Sequence, residues 1–91
     1  MYEIWFETRF KKDFKLAKKR GLDISLLEEV LKLLRANGKL PAVYKPHLLK
    51  GNYKGYWECH IQPDWLLIWK QDDDIKLVSL SRTGTHTDLF R

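Results

Sequence analysis

The strongest constraint on this chain is a run of three apolar segments joined by very short connections. The segments are Tyr56–Ile61, Trp65–Lys70 and about Ile75–Leu80. Gln62-Pro63-Asp64 separates the first two, and Gln71-Asp72-Asp73-Asp74 the last two. A parallel crossover needs a dozen or more residues, so linkers this short force antiparallel neighbours. The C-terminal half therefore reads as an antiparallel meander, with Pro and Asp supplying turn chemistry.

The N-terminal half has a different period. Tyr2-Glu3-Ile4-Trp5-Phe6 alternates in part and reads as a short strand. Thr8 is placed to cap a helix over Arg9–Arg20, in which Phe10, Phe14 and Ala17 share one face. Lys11, Lys12, Lys15, Lys18 and Lys19 cover the rest of that helix, and Gly21 suits its C-terminal stop. Ser25-Leu26-Leu27-Glu28 has capping-box spacing for a second helix. Leu27, Val30, Leu31 and Leu34 form its apolar stripe, and Asn37-Gly38 ends it. Residues 39–55 show no period and read as a long loop held on the domain by Leu40, Val43, Tyr44, Leu48 and Leu49. The expected architecture is one α+β domain over residues 1–91, ordered β-α-α-β-β-β, with a two-helix hairpin on one side of a mainly antiparallel sheet.

A domain of 91 residues needs a well-packed core, and a 44% hydrophobic content with four Trp, four Tyr and four Phe can supply one. A net charge of +5 favours polyanionic partners. The lone Cys59 excludes an internal disulfide and fits a reducing compartment. No segment resembles a signal peptide, and no apolar run approaches a span of about 18 residues. A soluble, cytoplasmic domain without a membrane partner is expected.

The residue types that can carry chemistry are few. The histidines are His47 in the loop, His60 near a strand end and His86 in the C-terminal tail. Asp64 follows His60 in the hairpin turn, and Arg82 follows the last strand segment. Metal-free RNA cleavage needs a base for the 2′-hydroxyl, an acid for the departing 5′-oxygen and a cation for the phosphate. Imidazole suits the proton transfers and guanidinium the phosphate, while Trp65 and Phe90 offer stacking faces. Each residue also has a plainer reading. His47 and Arg82 fit an ordinary surface, Asp64 a turn, Trp65 a core shared with Leu67 and Trp69, and Leu89-Phe90 a docking plug. His60 shares a strand face with Tyr56 and Glu58, opposite the core-like Trp57, Cys59 and Ile61. Cys59 and His60 therefore point apart, and no spacing matches a compact zinc motif, so neither metal nor other cofactor is expected.

Three stretches resemble the YafQ-type toxins of the RelE/ParE superfamily. They are Pro41-Ala42-Val43-Tyr44-Lys45 with His47 and Lys54-Gly55, then His60-Ile61-Gln62-Pro63-Asp64-Trp65 with Leu66-Leu67-Ile68, and then Arg82-Thr83-Gly84-Thr85-His86 with Leu89-Phe90. The resemblance spans nearly the whole chain and includes the β-α-α-β-β-β order. It implies the toxin of a type II toxin–antitoxin system, a ribosome-dependent, metal-independent endoribonuclease that cuts mRNA. It implies as partners a cognate antitoxin, ribosome-bound mRNA and rRNA, with operator DNA reached only through the antitoxin complex and the free toxin monomeric. His47, His60, Asp64 and His86 would form the acid–base group, with His86 the preferred acid and Asp64 or His60 the base. Arg82 would hold the scissile phosphate, and Trp65, Phe90, Lys50 and Lys54 would bind substrate, with Thr83-Gly84-Thr85 as the turn that brings the tail round. Two other functions compete with this one: a non-catalytic ParE-like gyrase inhibitor, which needs no proton-transfer groups, and a basic RNA-binding module.

Overall fold

The computed structural model describes residues 1–90. Its elements are β1 (Glu3–Phe6), α1 (Thr8–Lys19), α2 (Ile24–Asn37), β2 (His47–Leu48), β3 (Trp57–Gln62), β4 (Trp65–Asp72), β5 (Leu77–Gly84) and α3 (His86–Phe90). The sheet order is β1-β5-β4-β3-β2. The meander β3-β4-β5 is antiparallel throughout, as its short linkers require, and β2 adds antiparallel to β3. Only β1 runs parallel to its neighbour, pairing Glu3–Phe6 with Leu77–Leu80.

Alternation along β4 divides the interior in two. Trp65, Leu67 and Trp69 pack with Phe10 and Ala17 of α1 and with Leu27, Val30 and Leu34 of α2. Leu66 and Ile68 point to the opposite face, where Leu89 of α3 and the partly buried Leu49, Tyr53 and Tyr56 cover them. The helix hairpin thus lies on one side, as the periodicity predicts, and a smaller cover of α3 and loop lies on the other.

Several local expectations need correction. Thr8 is the first residue of α1 and not its cap: Glu7 occupies that position, and its carboxylate accepts from the Ser81 hydroxyl at 2.9 Å. Ser25 lies inside α2, because Asp23 caps it by accepting from the Ser25 backbone N–H at 3.0 Å. The helix therefore starts one residue before Ser25, whose N–H is an orphan donor that Asp23 satisfies and whose hydroxyl also donates to Asp23. Residues 39–55 are not a bare loop. They contain 3₁₀ turns at Ala42–Tyr44 and Gly51–Tyr53 and the two-residue edge strand β2. β5 runs past Leu80 through Arg82 to Gly84, so Thr83 and Gly84 are strand and not turn, and the tail is the helix α3.

The stop signals do hold. Gly21 has φ +79°, with its N–H donating to the Lys18 carbonyl and the Leu22 N–H to the Ala17 carbonyl, a Schellman ending. Gly38 ends α2 with φ +69° in a crowded place. A Cβ there would lie 2.5 Å from the Tyr2 ring and 2.7 Å from the Gln71 amide nitrogen, which itself donates to the Gly38 carbonyl at 2.9 Å. A Cβ on Gly21 would meet nothing within 4 Å. Both alanine variants bear the left-handed backbone penalty of about 1 kcal/mol, but only Gly38→Ala adds a steric clash. Thermal melts should show Gly38→Ala losing at least about 2 kcal/mol, and Gly21→Ala about half as much. Equal losses would show that the Tyr2 contact is not a real constraint.

Candidate active site

The sheet register builds the site. Across β2, β3, β4 and β5, His47 is opposite Glu58, Glu58 opposite Ile68, and Ile68 opposite Arg82. Opposed residues share a face, so His47, Glu58 and Arg82 lie in one row on the α3 side of the sheet. His60 stands in the next row, opposite Leu66. α3 then lays His86 beside it. The His47 and His60 ring centroids are 6.4 Å apart, those of His60 and His86 5.8 Å, and those of His86 and Phe90 6.5 Å. Three histidines from an edge strand, an inner strand and the terminal helix thus form a continuous line of imidazoles.

Each ring is held by oxygen acceptors. His47 Nδ1 is 2.8 Å from the Lys45 carbonyl, and its Nε2 is 3.2 Å from Glu58 Oε1. His60 Nδ1 is 3.3 Å from the Pro63 carbonyl, and its Nε2 is 3.9 Å from the same Glu58 oxygen. His86 Nδ1 is 2.7 Å from Asp64 Oδ1, and the His86 backbone N–H donates to that oxygen at 3.0 Å. A carboxylate has no proton to give, so Nδ1 of His86 carries the hydrogen and Nε2 faces outward. The backbone donor first, and the imidazole second, hold the Asp64 carboxyl below the usual carboxylate range.

Asp64 also fixes where α3 begins, because the N–H it accepts is that of the first helical residue. A reciprocal capping box completes that start. The Asp88 N–H donates to Thr85 Oγ1 at 3.1 Å, and the Thr85 N–H donates to Asp88 Oδ2 at 3.0 Å. Gly84 leaves room for this: a Cβ on it would lie 2.9 Å from Asp88 Oδ2. Arg20, just beyond α1, donates to both Asp88 oxygens at 2.7 and 3.3 Å. These contacts with Arg20, and then the Thr85 N–H, hold the Asp88 carboxyl far below its ordinary value.

Arg82 is on the expected face but not free. Beyond Phe6 the β5 edge has no strand partner, and α1 runs along it instead. Asp13 of α1 accepts from Arg82 Nε at 2.7 Å, from Arg82 Nη2 at 3.2 Å and from the Thr83 N–H at 3.1 Å. The bidentate carboxylate raises the Arg82 pKa further and commits two of its donor nitrogens. Tyr53 lines the same surface hollow as Arg82, and its ring centroid lies 5.5 Å from that of Phe90. Arg82 and the histidine line are thus neighbours of one aromatic pair, Tyr53 and Phe90.

The remaining predicted residues divide. Phe90 is exposed and next to His86, a free stacking face. Trp65 is 2% exposed, with its indole N–H on Thr83 Oγ1 at 2.9 Å, so it presents no face to a base and belongs to the core. Lys50 and Lys54 are exposed at the two ends of the turn that carries Tyr53. Four residues of the site were missed. Glu58 had a signal, its place two residues from His60 on the same strand face. Thr85 and Asp88 had one too, their capping-box spacing. Asp13 had none, because its role depends on where α1 crosses the sheet edge.

Among the described residues no cluster of three or more His, Cys, Asp or Glu side chains is arranged to hold a metal ion. Cys59 is fully buried, and burial, with Glu58 adding to it, pushes its thiol up to about 12. It is a packing group and not a nucleophile. No helix among the described residues is long and apolar enough to cross a membrane.

Comparison with known proteins fixes the class first: the chain is a bacterial toxin of a type II toxin–antitoxin system, the class whose family model matches residues 2–91. Within that class it belongs to the YafQ toxin family. The mRNA interferase toxin YafQ of Escherichia coli K12 is 47% identical over 89 residues, which is 97% of this chain and 95% of that protein. The crystal structure of the E. coli DinJ–YafQ complex contains a chain of the same fold, with TM-score 0.90, 46% identity and full coverage of both chains. A metal-bound toxin from Helicobacter pylori superposes with TM-score 0.89 at 38% identity, covering 99% of this chain and all of the other.

The Arg20–Asp88 contact makes the placement of α3 sensitive to acid. A carboxyl with a depressed folded-state pKa contributes stability that is complete above its unfolded value, about 3.9, and lost as the pH falls through the depressed one. Hydrogen exchange at the Leu89 amide, which bonds the Thr85 carbonyl at 3.1 Å, should be slow near pH 6 and lose protection below about pH 4, beyond the intrinsic pH dependence of exchange. Arg20→Gln should already weaken that protection at pH 6. Unchanged protection in the variant would rule out the ion pair as the anchor.

Proposed function

We propose that this type II toxin cleaves mRNA on the ribosome by attack of the 2′-hydroxyl, without a metal. The observation that carries the reading is the line His47–His60–His86, with Asp64 locked onto His86. The YafQ relatives are named mRNA interferase toxins, and one solved relative is in complex with DinJ. A cognate antitoxin is accordingly the protein partner of this chain.

The reaction needs one proton taken and one returned. A base removes the 2′-hydroxyl proton, the oxygen attacks phosphorus, and the bond to the 5′-oxygen breaks as an acid protonates it. The products are a 2′,3′-cyclic phosphate and a 5′-hydroxyl. His86 suits the acid. Asp64 orients its ring through Nδ1 and leaves Nε2 as the nitrogen that delivers the proton. The carboxyl of Asp64, held ionised by two donors on one oxygen, is a poor proton acceptor and serves to orient His86. The base role then falls to His60, next in the line, and His47 with Glu58 completes the far end. Arg82 keeps a guanidinium edge for the phosphate beyond the two nitrogens that Asp13 holds. Phe90 gives a base a stacking surface.

Single-turnover cleavage on programmed ribosomes tests these roles. His86→Ala should slow cleavage by about 10²–10⁴-fold, the usual value of a positioned acid. Asp64→Ala should cost less, since His86 remains, and wild-type rates in both variants would refute the assignment. Cut ends should carry cyclic or 3′-phosphate in the presence of EDTA, and a chelator-sensitive reaction would contradict the metal-free route. Phe90→Ala should impair cleavage by about tenfold while moving the melting temperature little, because a stacked base contributes roughly 1–3 kcal/mol and the ring is exposed in the free protein.

A further inference from the structure

The imidazole line has a concave neighbour that the proposed chemistry does not use. β2 covers β3 only opposite Trp57 and Glu58, so from Cys59 onward the outer edge of β3 has no strand partner among the described residues. The chain turns away there because Lys45 adopts φ +50° and Pro46 follows it. The gap between that edge and the 3₁₀ turn Ala42–Tyr44 is a cavity of about 400 Å³. Val43, Tyr44, Ile61 and Pro63 give it apolar walls, Gln62 and Lys45 give it polar groups, and His60 closes its inner side. Val43 is 77% exposed, an apolar side chain held open to water beside the site.

We propose that this cavity is the nucleobase subsite that sets the cleavage preference, holding the base of the mRNA nucleotide that flanks the scissile phosphate. The inference rests on the ribonuclease reading above and names a specificity determinant for it. Sequence-selective RNA recognition works on unstacked bases, with flat apolar contact on the faces and hydrogen bonds on the edge. The cavity has both. Val43, Tyr44 and Pro63 give the faces, and the Gln62 amide, which both donates and accepts, reads the edge together with the unpartnered β3 backbone. Lys45 stands at the rim, where a flanking phosphate would pass. His60 belongs to both places, so a base seated here puts its own ribose or the adjoining phosphate beside the imidazole line. A base is favoured over a peptide because the concavity is short, shares a reacting group with the site and carries a cation.

The test uses the full chain on ribosomes programmed with mRNAs that differ in the codon presented for cutting, and maps the cut ends for each. Gln62→Ala and Val43→Asp are both at exposed positions, and unchanged melting curves check that they fold. The expected result is a reordering of codon preference. The rate at the best wild-type codons should fall about tenfold, the value of one lost base-edge hydrogen bond, while poor codons change by about twofold or less. Rates that keep their wild-type order, or that fall equally at every codon, would overturn the subsite. Loss of antitoxin binding with unaltered cleavage would overturn it in favour of a protein contact. A wild-type chain that cuts no codon would instead remove the ribonuclease reading itself, while a cutting wild type with an unshifted Gln62→Ala profile would remove only the subsite.

Discussion

Five consecutive residues of β4, Trp65 to Trp69, are buried, and nearly everything else in the molecule is arranged around them. A strand with both faces covered has no solvent side to absorb a register error. Its Trp65, Leu67 and Trp69 face carries the two helices. Its Leu66 and Ile68 face is too small to carry a layer of its own, and it is closed by Leu89 and the chain around Tyr53 and Tyr56. That second cluster is modest in area, yet it seats the short helix bearing His86. The position of the His86 imidazole therefore depends on apolar contacts made under it.

Much of this was legible in the sequence, for identifiable reasons. The meander followed from linker lengths, and the helix faces followed from Phe10, Phe14 and Ala17 and from Leu27, Val30 and Leu34. His60 was placed on the correct side by counting twos. Beyond the local caps at Asp23 and Thr85, what escaped reading depended mostly on partners distant in sequence. β2 is two residues long and exists because β3 offers an edge, so no local pattern announces it. β5 extends to Gly84 because Asp13 and β4 satisfy its far end. Trp65 read as a substrate-stacking face with core as the plainer alternative, and the packing overturns the first in favour of the second.

The site has the same character. Histidine count and the Asp64 position indicated proton transfer, and the sheet brings those side chains together. The intervening carboxylates hold the rings in place. Glu58 is shared between two imidazoles, and Asp64 spends one oxygen on both the ring and the backbone of His86. The atom that starts α3 is thus also the atom that orients the His86 ring. The arginine shows the converse: its charge was visible in the sequence, but its commitment to Asp13 was not.

The pairing of β1 with β5 has a kinetic side. Glu3 lies opposite Leu77, so the two ends of the chain must meet before this edge of the sheet can form. Loop closure over such a span carries an entropic cost that contacts reward only afterwards, and non-local pairings of this kind slow folding. The meander and the helix hairpin are local and can form early. The β1–β5 edge, and with it the path of α1 past Arg82, has the longest loop to close. A chain with its meander in place but its first strand undocked would show most of the native secondary structure and still lack the Asp13 contact, so recovery of activity on refolding would lag behind recovery of the circular dichroism signal.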